Sequence, residues 1–346
     1  MLRLSVLDQS PIAEGATGAQ ALQNTLELAR LADRLGFHRY WVAEHHGGPS
    51  LAGPAPEVLI GPIAAATQRL RVGSGGVMLP HYSPLHVAEQ FSVLAGLCGD
   101  RIDLGIGRAS GTDPLTTFAL QRDRRQASPD DFPDQLAELL AHLEDDLPAD
   151  HPFARLPRTL PGRPQRPRVW LLGSSPQSAL WAAELSLPYA FADFINPQGA
   201  RIAADYRQRF VAGRGLDDPE AVVAVWALAA DTEDEALELA TSSRMMFSLL
   251  RQGRLIAVPT PDKAMAWARS RGEDPRKPRE GRRTIVGDPA QVRAGIEAAA
   301  QEYGAREVVV VTITHSHAAR LRSYELIARE FGLDAVDAAP PVVAQA

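Results

Sequence analysis

Short apolar, β-branched runs alternate with amphipathic stretches along almost the whole chain, and this alternation constrains the fold more than any single motif. Eight runs read as strands, at residues 2–7, 40–43, 71–77, 102–105, 169–172, 189–191, 222–228 and 308–313. Between them apolar residues recur at helical spacing, as in Leu22, Leu26, Ala29 and Leu35 before Gly36, a C-terminal stop. Further helices are expected over 84–97, 133–143, 176–185, 200–210, 233–250, 289–303 and 318–331. The first four strands begin at residues 2, 40, 71 and 102, one βαβ length apart. Strict β–α alternation predicts a parallel sheet covered by helices, and eight units predict a single α/β domain, a (β/α)8 TIM barrel over 1–335. A flexible tail is expected over 336–346. Two gaps exceed one repeat and predict insertions after strand 4 and between strands 7 and 8. The first contains 148–167, with six prolines and four arginines, and the second contains 251–283, where prolines and charges interrupt any long pattern. Long loops of this kind are usually lids or binding elements.

Composition removes several function classes. With 36 Lys+Arg against 42 Asp+Glu the formal charge is −6, which offers no field for nucleic acid or an anionic membrane surface. Cys98 is the one cysteine, so neither an internal disulfide nor a CxxC site is available. The apolar run 222–230 is far below the roughly 20 residues of a membrane-spanning helix. The N-terminal segment reads as a strand and polar turn with no secretory leader, and a cytoplasmic location is expected.

In such a barrel the chemistry sits at the C-terminal strand ends. After strand 2 stand Glu44, His45, His46, Gly47 and Gly48, an acid and two histidines opening a glycine turn. Strand 3 carries Gly73-Ser74-Gly75-Gly76 and ends at Met78-Leu79-Pro80-His81; glycine inside a strand marks a bulge or the close approach of a ligand or another backbone. Strand 4 ends in Gly105-Ile106-Gly107-Arg108-Ala109-Ser110-Gly111, which is not G-x-G-x-x-G but places an arginine in a glycine-rich loop, suited to fork onto a phosphate. Strand 5 ends in Gly173-Ser174-Ser175-Pro176, a capped helix start and an anion site. Arg108 and the serines, on adjacent strands, would converge on one phosphate. His315 and His317 follow strand 8 with HxH spacing; with Glu44, His45 and His46 they would make a metal-dependent barrel hydrolase, or they are simply a polar helix entry.

These strand ends resemble the bacterial luciferase-like flavin monooxygenases. The likeness lies in Trp41-Val42-Ala43-Glu44-His45-His46, Val72-Gly73-Ser74-Gly75-Gly76-Val77-Met78-Leu79-Pro80, the segment from Gly99 to Arg108, Val169-Trp170-Leu171-Leu172-Gly173-Ser174-Ser175, and Leu180-Trp181-Ala182-Ala183-Glu184. The resemblance implies a TIM barrel binding reduced FMN at its mouth, a homodimer, and a separate flavin reductase. It places His45, with Glu44, at the reacting centre, and Gly75-Gly76 where the family has a non-proline cis peptide against the flavin ring. Arg108, Ser174, Ser175 and Ser178 match phosphate-binding positions, and Asn196 lies in the segment passing near the ring. Residues 251–283 match the family's mobile lid. Met78, His81, Tyr82 and Phe194 are expected to line the substrate pocket. Ser174 and Gly107 depart from the light-producing subunit, which has an acid and a cysteine there; this bears on light emission, not on flavin binding.

The implied activity is a monooxygenase using reduced FMN and dioxygen, through a 4a-hydroperoxide that must be kept dry, on a small organic substrate. His45 would act as a general acid or base, its unperturbed pKa being near neutrality. A deazaflavin-dependent oxidoreductase of the same fold, the metal hydrolase, and a non-catalytic flavin-binding relative are the alternatives.

Overall fold

Nine strands form one sheet in a computed structural model that describes residues 2–108, 113–121, 124–125, 131–156, 166–196, 198–277 and 283–335. They are β1 (Arg3–Asp8), β2 (Arg39–Val42), β3 (Arg71–Met78), β4 (Ile102–Gly107), β5 (Arg168–Gly173), β6 (Tyr189–Ala192), β7 (Ala221–Ala229), β8 (Ile285–Gly287) and β9 (Glu307–Val311). The helices are α1 (Gly18–Leu35), α2 (Pro56–Ala66), α3 (Pro84–Cys98), α4 (Pro114–Leu120), α5 (Phe132–Glu144), α6 (Pro176–Glu184), α7 (Ala200–Arg209), α8 (Glu233–Leu250), α9 (Pro261–Ser270), α10 (Pro289–Tyr303) and α11 (His317–Phe331). All strand pairs are parallel; β1 pairs with both β2 and β9, and β6 pairs with β7, so eight strands close into a barrel. The expected (β/α)8 architecture is therefore present. The ninth strand, β8, was not expected; it pairs with Ala227, Leu228 and Ala229 at the upper end of β7.

Strands covered on both faces read as continuous apolar runs, as the buried Val308–Val311 of β9 do. Helix ends follow local chemistry. Thr17 caps α1 by accepting the Gln20 N–H at 3.2 Å, and Gly36 ends it at φ 86°, a conformation that favours glycine. Three helices escaped sequence reading. α2 is apolar on most of its surface, α4 is short, and α9 lies inside the second insertion, where Pro261 occupies the start of the helix rather than breaking it. That insertion is tied across the barrel mouth by backbone bonds between Val258 and the loop after β1, Glu14 N–H to Val258 O (2.8 Å) and Val258 N–H to Ile12 O (2.9 Å). Residues 278–282 of the insertion, the 109–112 part of the strand-4 loop, and the expected tail 336–346 lie outside the described residues.

Two apolar regions hold the barrel. The larger lies between sheet and helices, and the smaller fills the interior with Leu7, Trp41, Trp170, Val222, Val309 and Val311. Below the interior cluster, the inward residues at the N-terminal strand ends form a charged floor. Arg39 is fully buried, donating to Asp103 Oδ2 at 2.6 Å and to Glu307 Oε1 and Oε2 at 2.5 and 3.0 Å. Ser5 donates to Glu307 (2.6 Å), and Trp41 Nε1 (3.0 Å) and Arg71 (2.8 and 2.9 Å) donate to Asp103. Among the described residues no helix is long and apolar enough to cross a membrane.

Candidate active site

Strand register brings the predicted residues to one end of the barrel. Val42 pairs with Ser74, so the Glu44-His45-His46 run just past β2 stands beside Gly75 and Gly76. The register of β3 against β4 shifts between Gly75 and Val77, and the Gly75–Gly76 peptide is cis. Neither glycine has room for a side chain: a Cβ on Gly75 would lie 2.6 Å from Leu7 Cδ1, and one on Gly76 would lie 2.7 Å from the Gly105 carbonyl. The bulge and close approach expected here are thus made by neighbouring chain segments.

Glu44 is the fixed point of the site. Its fully buried carboxylate accepts from His46 Nε2 (2.7 Å), the Met78 N–H (2.8 Å) and the Tyr82 hydroxyl (3.0 Å). Burial, reinforced by the Glu44 charge, pushes the Tyr82 phenol above its usual range, so it stays a protonated donor. His81 is buried in a short 3-10 turn, edge-on to His46 at 5.9 Å. Glu44 therefore positions His46, Met78 and Tyr82, and its carboxylate is spent on that.

His45 differs from its neighbour. Its backbone N–H donates to Gly53 O at 3.0 Å, but the buried Nδ1 has no hydrogen-bond partner among the described residues. Burial, with the nearby His46 adding to it, lowers its pKa to about 4. Burial thus moves His45 away from the near-neutral unperturbed value, and at pH 7 the ring is neutral and offers one donor and one acceptor. An orphaned buried polar atom costs roughly 1–3 kcal/mol, which a bound group would relieve.

The second corner of the mouth joins β4 to α6. The Arg108 guanidinium lies 5.6 Å from the Trp181 ring centroid on α6, so the loop after β4 meets the helix whose N-terminus carries the serines. Ser175 caps α6 through the Ser178 N–H (3.3 Å). Ser174 O accepts from Asn196 Nδ2 (2.9 Å), and Asn196 Oδ1 accepts the Gln198 N–H (3.1 Å), so Asn196 ties the β6 loop to the β5 loop. Ser178 is turned inward: its hydroxyl donates to Ser175 O and meets the Tyr189 hydroxyl, each at 2.9 Å. Arg108, Ser174 and Ser175 are thus gathered at the surface of one corner, with Ser178 behind them.

Phe194 stacks on Trp226 at 5.6 Å, and Trp226 stacks on Phe247 at 4.0 Å, forming an aromatic wall at the β7 side of the interior. The HxH pair does not join the site. His315 Nε2 lies 3.2 Å from Glu14 O and His317 Nε2 3.2 Å from Glu27, while Ser316 caps α11, which is the polar helix entry. Among the described residues no group of three or more His, Cys, Asp or Glu side chains is placed to hold a metal.

A cavity of about 150 Å³ opens on the other side of the mouth, between the upper ends of β7, β8 and β9 and helices α8 and α9. Trp226, Arg244, Ser248 and Ile313 are among its lining residues, whereas Glu44, His45 and Arg108 are not. Sequence reading singled out none of these four. The signal was available in the spacing Thr241, Arg244, Ser248 and Arg251, which puts three polar residues on one side of α8 and a fourth at its C-cap.

A family model described as luciferase-like monooxygenase matches residues 2–307. A luciferase-like monooxygenase of Escherichia coli (strain K12) is 41% identical over 326 residues, 94% of this chain and 96% of that protein. The N-acetyl-S-alkylcysteine monooxygenase of Bacillus subtilis (strain 168) is 42% identical over 268 residues, 77% and 79% of the two chains. Among solved structures apo-MsnO8 is similar at a TM-score of 0.87 and 44% identity, covering 97% of this chain and all of that one (100%). Two others share the fold alone. They are the oxygenating constituent of 3,6-diketocamphane monooxygenase from Pseudomonas putida in complex with FMN (TM-score 0.71, 19% identity, 97% and 99% covered) and an F420-dependent secondary alcohol dehydrogenase (0.62, 15%, 95% and 98%).

Proposed function

The chain belongs to the luciferase-like monooxygenase family, and from that premise we propose that it binds reduced FMN at the barrel mouth and uses dioxygen to oxygenate a small organic substrate. The observation that carries this reading is the orphaned, buried Nδ1 of His45 one strand away from Gly75–Gly76, with Arg108 and the Ser174–Ser175 turn at the adjoining corner. An aromatic ring system between these corners and a phosphate on the second fit the donors present. Flavin, when bound, supplies the redox and oxygen chemistry.

The chain's own residues have separable tasks in this reading. Glu44 holds His46, Tyr82 and the Met78 backbone in place, and His45, neutral at pH 7, presents an imidazole donor and acceptor to cofactor or substrate. Arg108 and the start of α6 anchor the phosphate. Phe194, Trp226 and Phe247 keep water out, with residues 251–283 as a closing element. The relative named for N-acetyl-S-alkylcysteines supports trying such thioethers first as substrates. The apolar side chains exposed on α2 and α3, Val58, Val93 and Leu97, support a homodimer, which sedimentation would test. A separate reductase and a cytoplasmic location complete the proposal.

The test is an anaerobic titration with reduced FMN, followed by mixing with ¹⁸O₂ and N-acetyl-S-methylcysteine. Flavin binding and one labelled oxygen in the product are expected. Binding of a deazaflavin in place of FMN would move the chain to the hydride-transferring oxidoreductases. Steady NADH oxidation by the purified protein alone would remove the separate reductase.

A further inference from the structure

The cavity beside β7 has walls that do not match its donors. Phe247, Ile285 and Ile313 make much of it apolar, yet two of its lining residues carry nitrogens that are sealed from solvent and have no partner among the described residues: Trp226 Nε1 and Arg244 Nη2. The other arm of Arg244 is used, Nη1 donating to Pro275 O at 2.9 Å, which orients the guanidinium. Burial lowers the Arg244 pKa, opposed by Asp274, so the group is incompletely compensated. The remaining charges are not neutral either. Arg244, Arg251, Lys277 and Arg283 line the cavity against Glu273 and Asp274, four cations to two carboxylates. Of these, Arg283 is paired with Asp193 and Glu302, Glu273 with Arg271, and Asp274 accepts the Arg276 N–H. Orphan buried donors are costly in the absence of an acceptor, and an acceptor with two oxygens suits the free edge of a guanidinium.

We propose that this cavity binds the carboxylate of an apolar organic acid, with Arg244 Nη2 and Trp226 Nε1 as donors and Phe247, Ile285 and Ile313 against its body. Resting on the monooxygenase reading, this makes the substrate an acid, held by its carboxylate on the β7 side while the oxidisable part reaches toward His45. Trp226 connects the two places, since it both lines the cavity and stacks in the aromatic wall of the interior.

The experiment titrates the full chain, without flavin, with 3-phenylpropanoate and with 3-phenylpropanamide by calorimetry. The acid is expected to bind at least about tenfold more tightly than the amide, since a hydrogen bond to a charged group outweighs a neutral one by that order. Arg244→Gln should bring the two within about twofold, and Arg244→Lys should keep part of the preference. Trp226→Phe, which is independent of the Pro275 contact, should weaken the acid several-fold and leave the amide unchanged. Equal binding of acid and amide by the parent protein, no binding of either, or a preference that survives Arg244→Gln or is unmoved by Trp226→Phe would overturn the assignment. Reduced FMN titrated into the same samples separates the two readings. Flavin binding with no acid preference removes only the cavity assignment, whereas acid preference with no flavin binding supports the cavity and removes the monooxygenase.

Discussion

The two ends of the barrel spend their polar groups in opposite ways. At the floor Arg39, Asp103, Glu307, Ser5 and Arg71 satisfy one another, and the orphan there is Trp170 Nε1, on a ring that lies 4.6 Å from the Arg39 guanidinium. At the mouth Glu44 is equally well bonded, but His45 Nδ1, Trp226 Nε1 and Arg244 Nη2 are not. Buried polar groups normally find partners because leaving one unmade is expensive. A closed network is therefore a structural element, whereas the orphans at the mouth are the groups that the proposed ligands would satisfy. Burial alone does not separate the two ends, since Arg39 and Glu44 are both fully buried.

The largest effect expected from testing this contrast is at the floor. Arg39→Met leaves Glu307 without its buried cation and Asp103 with Arg71 alone, and should cost about 3–5 kcal/mol in urea unfolding; a loss under 1 kcal/mol would mean the floor is not a closed network. Acid titration of stability compares the two ends directly. His45 has a folded pKa of about 4 against about 6.5 unfolded, so the unfolded chain takes up this proton first and stability falls as pH drops from about 6.5 to about 4. His38 and His317 are also lowered by burial and act in the same direction, so His45→Asn should reduce this slope rather than abolish it. Glu307 behaves differently: burial pulls its pKa up, but Arg39 and the hydrogen bonds outweigh it, so its contribution is present above about 4.5 and lost as pH falls further. A profile flat between pH 6.5 and 4.5 would contradict the buried neutral imidazole.

Smaller effects sharpen the mouth. Glu44→Gln should cost about 1–3 kcal/mol, because His46, Tyr82 and the Met78 N–H lose a charged acceptor, and should slow turnover more than it destabilises; unchanged turnover would leave Glu44 with a packing role only. Arg108→Ala should weaken FMN about tenfold, or ~1.4 kcal/mol, relative to riboflavin, and equal losses for both would remove the phosphate assignment. The smallest change belongs to Trp226→Phe in the ligand-free protein. Deleting a donor that has no partner should shift stability by less than about 1 kcal/mol, whereas a large loss would reveal a partner for the indole.

Much of the fold was legible because each βα unit announces itself locally. The eight barrel strands and most helices were found from apolar runs and caps, and Glu44, His45, Arg108 and Ser175 were singled out because barrel chemistry gathers where strands end. What was missed has particular causes. β8 is three residues long, and α9 begins at a proline inside a charged segment. Trp226 and Arg244 went unnoticed because one sits in an apolar strand and the other in an ordinary helix, and only their shared cavity gives them meaning.

The sequence by itself determined the alternation, the barrel, the family resemblance and the position of each strand end, because these depend on periodicity and on chemistry between near neighbours. Only the tertiary structure decided which polar groups are paired. Arg39 meets Glu307 and Asp103 across 268 and 64 residues of chain, and the His45 pKa is lowered by burial in the folded chain. Hydrogen-bond satisfaction and desolvation are set by what surrounds a group in space, so a histidine or arginine that looks alike in the sequence becomes a closed structural contact at one end of this barrel and a buried group with an unsatisfied nitrogen among the described residues at the other.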